Sequence, residues 1–277
     1  MATKKAVSTK KKAATKKTPT SSKVTKTTVK TAPATAKKQS VGQHVDGALR
    51  SPQLWRALAA EFIGTFLFAA AVIAGQGSPL VILFAVAGVV LLITSVSGAH
   101  INPAVTVGAW VTRRIGWLRA IGYILVQFLG AAVAFFTLRA FLGAATQPSA
   151  EEALYTQAAT LFSAVDLVNI AGKEWYAFAA EALGTAILGF AVANALRFKS
   201  SLSRSFSVGF GLFIAVMIVT TGGFIAATTV LNPAVALTLQ AYAFGGWSYA
   251  IYALAPVIGA VFGFIIFDLI YGKKKNA

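Results

Sequence analysis

Two copies of one tripeptide, Asn102-Pro103-Ala104 and Asn232-Pro233-Ala234, carry the clearest chemistry in this chain. Proline is accepted in the first turn of a helix, where its missing N–H has no partner to lose, and asparagine before it is a good N-cap. Each copy therefore predicts a helix start capped by Asn102 or Asn232. About ten helix-compatible residues follow each copy, too few to cross a bilayer. Two such half-helices meeting at the bilayer centre would set two positive dipole ends, roughly +0.5 charge each, face to face. Any amide N–H left free there would orient passing water, while cations and hydronium would meet a positive barrier.

Glu61 and Glu181 are carboxylates inside apolar stretches, a costly placement unless they are partnered. Their matching positions predict one role in each half, accepting hydrogen bonds from backbone N–H groups of the adjacent half-helix loop. A proton relay is the alternative, although no run of titratable groups connects the two sites. His100, two residues before Asn102, reads as a gate or pore liner, or as a hydrogen-bonded loop histidine. The chain has no cysteine and only two histidines, His44 and His100. Disulfides and thiolate metal sites are thereby excluded, and a metallohydrolase or acid–base enzyme is hard to assemble. No metal, cofactor or catalytic residue is expected.

The elements that must hold these residues are apolar. Of 277 residues, 57% are hydrophobic and 12% charged, with a mean hydropathy of +0.71; soluble domains carry about 25% charge. Six stretches are predicted to span a membrane: Leu54–Gly75, Pro79–Val96, Trp117–Phe141, Trp175–Leu196, Ser205–Thr221 and Trp247–Tyr271. The expected fold is an all-α membrane protein with six transmembrane helices and two re-entrant half-helices. Irregular backbone at membrane depth must then line a cavity or be buried in protein. Arg113, Arg114, Arg119, Arg197, Lys199, Arg204 and Lys273–Lys275 fall on one side of this scheme, while loop 142–174 carries Glu151, Glu152, Asp166 and Glu174 against Lys173. The distribution of basic residues predicts a multi-pass cell-membrane protein with both termini in the cytoplasm.

The two halves repeat. Ala60-Glu61-x-x-Gly64-Thr65 matches Ala180-Glu181-x-x-Gly184-Thr185, and Asn102-Pro-Ala-Val matches Asn232-Pro-Ala-Val. Tyr123-x3-Gln127-x2-Gly130-Ala131 matches Tyr252-x3-Pro256-x2-Gly259-Ala260. Three blocks in order, each half with an odd number of spans, predict an inverted repeat with its functional site near the midplane. The domain plan is a tail at 1–50, a channel domain at 51–272 and a basic end at 273–277. Within the channel domain, repeats at about 54–141 and 175–271 are joined by the outward loop 142–174.

Ser97-Gly-Ala-His100-Ile-Asn102-Pro-Ala-Val-Thr106, the Ala-Glu-Phe-x-Gly-Thr opening and the second Asn-Pro-Ala resemble the aquaporin (major intrinsic protein) family over roughly residues 54–271. The resemblance implies one pore per protomer, homotetramers, and passive transport of water or small neutral solutes. It also implies an outer constriction formed by Ile82, Thr229, Val235 and a fifth-span residue. That residue is Thr220 by strict spacing, or Ile218 if Gly223–Val230 carries an insertion. Most family members have arginine where Val235 stands, and glycerol facilitators have Asp where Ala236 stands. A ring of Ile, Val and Thr is less polar and lacks a fixed positive charge, so somewhat larger or less polar solutes are expected to pass.

The tail is a Lys/Thr/Ala/Ser/Pro tract in which twelve Lys and Arg50 stand against Asp46, a local charge of +12 within a total of +17. Such a composition cannot bury enough apolar surface to order itself, and it predicts disorder. Anionic lipid headgroups are its expected partner, with nucleic acid as the weaker candidate. The competing function is a membrane-anchored interaction protein whose tail binds polyanions above a closed or vestigial pore.

Overall fold

Four helices begin at proline, and this punctuation sets the architecture. In the computed structural model, which describes residues 40–144, 160–221, 227–243 and 245–272, α2 (Pro52–Ala74), α3 (Pro79–Ile93), α4 (Pro103–Val111) and α8 (Pro233–Thr238) all open this way. The remaining helices are α1 (Val41–Leu49), α5 (Trp117–Ala144), α6 (Glu174–Ala195) and α7 (Ser201–Thr221). Then α9 (Gly246–Tyr249), a π-type segment (Ala250–Leu254) and α10 (Ala255–Tyr271) run on as one 26-residue helix. The described residues contain no strand.

Among the described residues, five helices are long and apolar enough to cross a membrane. The second predicted span is shorter than Pro79–Val96: α3 stops at Ile93 after 15 residues, a rise of about 22 Å. The chain then turns through residues 94–97 to feed the loop before α4. The half-helices are also shorter than the sequence suggests, at nine residues for α4 and six for α8. Side chains on the bundle's outside are apolar, among them Phe84, Leu92, Leu125 and Phe136, as expected where lipid replaces water.

Packing follows the repeat. α2 lies along α5 and α6 along α10, while α3 and α7 pair across the halves. Each half-helix crosses over, α4 packing on α10 and α8 on α5, so neither half can close without the other. Close approach needs glycine at equivalent points. A Cβ at Gly130 would run into the carbonyl oxygen of Phe62, and one at Gly259 into that of Ala182.

The π-type segment has a local cause. Pro256 has no N–H for the carbonyl of Tyr252, and the backbone widens there. The Tyr242 hydroxyl lies 3.1 Å from that freed oxygen and 3.0 Å from the Pro233 carbonyl.

The N-terminal expectation changes in part. Residues 40–50, assigned to a structureless tail, carry α1, started by a reciprocal cap in which Ser40 and Gln43 bond each other's backbone N–H. The tail expected over residues 1–39, the acids Glu151 and Glu152, and the basic end 273–277 lie outside the described residues.

Candidate functional site

The site is assembled where the two half-helices meet. Asn102 Oδ1 accepts from the N–H groups of Ala104 (2.8 Å) and Val105 (3.4 Å), and Asn232 Oδ1 from those of Ala234 (3.0 Å) and Val235 (3.4 Å). Pro103 and Pro233 occupy the first helical turns, with Ala104 and Ala234 fully buried behind them. The amide nitrogens point across the repeat boundary. Asn102 Nδ2 donates to the Leu231 carbonyl at 2.8 Å, and Asn232 Nδ2 to the Ile101 carbonyl at 2.9 Å. Each primary amide has two N–H groups, and this reciprocal bond uses one of them on each side.

The backbone that presents those carbonyls is strained. Ile101 and Leu231, each directly before its asparagine, have φ of 43° and 56°, a region costing about 1–3 kcal/mol for such residues. Two buried carboxylates hold it. Glu61 Oε1 accepts from His100 N (2.9 Å) and Oε2 from Ile101 N (2.6 Å); Glu181 Oε1 accepts from Val230 N (2.6 Å) and Oε2 from Leu231 N (2.7 Å). Gln127 Nε2 donates a third bond to Glu61 at 2.8 Å. Its counterpart in the second half is Pro256, so Glu181 has no such support.

His100 is a loop histidine. Its ring is buried, 5.3 Å from the Tyr123 ring in an edge-on contact, with Nδ1 3.3 Å from the Thr106 hydroxyl. It is not among the residues lining the cavity described next.

A cavity of ≈ 210 Å³ leads from both asparagines toward the end of the bundle that bears residues 160–170. Ile82, Thr220, Thr229 and Val235 all line it, and Ile218 does not. The two fifth-span alternatives are two residues apart on a helix and therefore face different sides; Ile218 is 46% exposed on the outside of the bundle. No charged side chain is among the described lining residues. Thr220 bonds its own helix, Oγ1 to the Val216 carbonyl at 2.6 Å.

Sequence reasoning missed several of the walls. Phe68 and Leu188 line the cavity seven residues after Glu61 and Glu181. That spacing is two helical turns, a signal that could have found them. Phe162, on the linker between α5 and α6, had no such signal. Its ring sits over Gly77, where a Cβ would come within 2.6 Å of it. Gln76 Nε2 bonds the Thr160 carbonyl at 3.2 Å, Val165 N the Thr228 hydroxyl at 2.9 Å, and Ala164 N the Leu239 carbonyl at 2.8 Å. The linker is thus sewn into the mouth, and Phe162 adds a second aromatic ring to a wall that already holds Phe68.

Comparisons with known proteins bear on the family and the fold of the chain. A family model described as Major intrinsic protein matches residues 48–267. The chain is 31% identical to Glycerol uptake facilitator protein-like 6 of Lactiplantibacillus plantarum over 218 residues, 73% of this chain and 92% of that one. It is 31% identical to Aquaporin PIP2-7 of Arabidopsis thaliana over 191 residues, 61% of this chain and 64% of that one; it thus spans just under two thirds of that relative. Among solved structures, the aquaglyceroporin from Plasmodium falciparum shares the fold with a TM-score of 0.56 at 22% identity, covering 79% of this chain and 96% of that one.

Proposed function

This chain belongs to the major intrinsic protein family of membrane channels, and we propose that it conducts small neutral solutes, glycerol-like or less polar, with water able to follow. It is a multi-pass membrane channel and not an enzyme. One observation carries the solute class: Ile82, Thr220, Thr229 and Val235 share a cavity wall with no charge among its described members. Two hydroxyls and two hydrocarbon faces suit a solute with both hydroxyl and C–H surface. The name of the glycerol uptake facilitator relative points the same way.

Protons and cations are excluded at the asparagine pair. The free side of each amide offers only donors, and two helix N-termini meet there, so a cation meets a positive end. The dipole of a six-residue α8 is smaller than that of a full half-helix, which leaves more of the barrier to the amides. A cavity reaching both asparagines argues against a vestigial pore.

The remaining features of the proposal follow from charge and kinship. Both termini lie in the cytoplasm of a cell-membrane protein, the assembly is a homotetramer with one pore per protomer, and the Lys-rich tail meets anionic headgroups. Stopped-flow light scattering on proteoliposomes tests the function, comparing water, glycerol, urea and a larger polyol. Glycerol and urea should exceed protein-free vesicles; if no solute does, the reading fails.

A further inference from the structure

A second cavity, of ≈ 610 Å³, opens at the other end of the bundle, where the C-termini of α4, α6 and α10 converge. It shares no lining residue with the solute cavity. Arg113, Arg114, Arg197, Asp268 and Tyr271 form its polar wall. Asp268 is already satisfied: Arg114 donates to it twice, Nη2 at 2.7 Å and Nη1 at 3.3 Å, with the pair largely buried. Arg114 also lies 4.8 Å from the centre of the Phe264 ring.

That leaves two arginines. Among the described residues no carboxylate is within ion-pair distance of Arg113 or Arg197. The Arg197 guanidinium carbon sits 4.9 Å from the Tyr271 ring centre and 5.8 Å from that of Phe267. Rings engage the face of a guanidinium and leave its N–H edge for an acceptor. Arg113 is set by a left-handed turn, φ 64°, just past the end of α4. Three helix C-termini offset part of this charge, roughly half a unit each before solvent screening.

Beside this cavity runs a groove of ≈ 440 Å³ between α4 and α10, lined by Val111, Thr112, Ile265, Asp268 and Leu269. Thr112 and Asp268 belong to both. The groove's apolar members are open, most of all Leu269 at 79% exposed. A cationic pocket continuous with an apolar channel on a membrane protein's flank has the two-part shape of a lipid. We propose that it binds an anionic phospholipid, the phosphate held by Arg113 and Arg197 and an acyl chain lying along Val111, Ile265 and Leu269. Charge selects this occupant. A second copy of a chain with net charge +17 would bring more positive charge to the pocket, and free phosphate would leave the groove bare. The bound lipid braces α4 at the end opposite Asn102. α4 is otherwise clamped at Gly108, where a Cβ would come 2.7 Å from the Phe264 ring.

The test uses the full chain in phosphatidylcholine vesicles doped with photoreactive phosphatidylglycerol or, separately, photoreactive phosphatidylcholine, with labelled residues mapped by mass spectrometry. Phosphatidylglycerol should label Val111, Ile265 and Leu269 at least about fivefold over phosphatidylcholine, the effect of one basic residue at a membrane surface. Equal labelling overturns the proposal without recourse to a variant. Arg113→Gln/Arg197→Gln should lose that preference, and Arg119→Gln/Arg204→Gln, which removes equal charge outside the cavity, should keep it. Equal loss in both would reduce the site to general surface attraction and overturn it. Displacement of the label by excess inorganic phosphate, or cross-links to a second copy of the chain in place of lipid, would assign the pocket to another occupant and overturn it as well.

Discussion

Replacing Glu181 by glutamine changes one atom and should unsettle the pore. The wild-type carboxylate accepts from Val230 N at 2.6 Å and Leu231 N at 2.7 Å, both oxygens in use. Glutamine keeps one acceptor and turns an N–H₂ toward the other backbone N–H, so one bond is lost and a buried donor faces a donor. A hydrogen bond to a charged group contributes about 1.5–3 kcal/mol and an unsatisfied buried donor costs about 1–3 kcal/mol. Because the two overlap, the expected loss is about 2–4 kcal/mol. It falls on a loop whose Leu231 is held at φ 56°, strain that the lost bond no longer opposes. Relaxation there withdraws the Leu231 carbonyl from Asn102 Nδ2, now 2.8 Å away, so damage in the second half reaches the cap of the first. Thermal unfolding of Glu181→Gln in detergent should show a fall of roughly 4–16 °C, with lowered glycerol flux in proteoliposomes. Glu61→Gln also loses one bond, but the bond from Gln127 still anchors its side chain, so the loop should relax less and the fall should be no larger. Wild-type stability and flux in Glu181→Gln would refute the reasoning, and so would a larger loss in Glu61→Gln.

Phe162→Ala should widen the mouth by removing the ring over Gly77; the largest permeant polyol in a stopped-flow size series should increase, and an unchanged cut-off would remove Phe162 from the mouth. Mercurials should leave conduction intact, since the chain has no cysteine; inhibition of purified protein that a thiol reverses would contradict this. Vesicles that swell in glycerol should show no added proton leak by an entrapped pH dye, and a leak rising with protein content would sink the exclusion argument.

The Asn-Pro pairs were legible because capping is a local event: the side chain and the N–H groups it serves lie two or three residues apart. Repetition then made Glu61 and Glu181 readable as a pair, although their partners lie about 40 and 50 residues away. Other features had no local signature. Bonds from Asn102 to Leu231 and from Asn232 to Ile101 depend on how the halves dock. Phe162 is one aromatic in a linker without periodicity. The choice between Thr220 and Ile218 hinged on helix register, which spacing around a loop cannot fix; the cavity wall includes Thr220. The α1 helix is the opposite case, since Ser40 and Gln43 form a readable start signal inside a tract whose composition argued for disorder.

The central claim is that the wall shared by Ile82, Thr220, Thr229 and Val235 sets what passes the paired asparagines. Its most direct test is Val235→Arg, compared with wild type for water and glycerol flux in matched proteoliposomes. The substitution puts a long cationic side chain into a ≈ 210 Å³ cavity whose described walls carry no charge. Glycerol flux should drop while any water flux is retained; glycerol flux that is unchanged or raised would contradict the account.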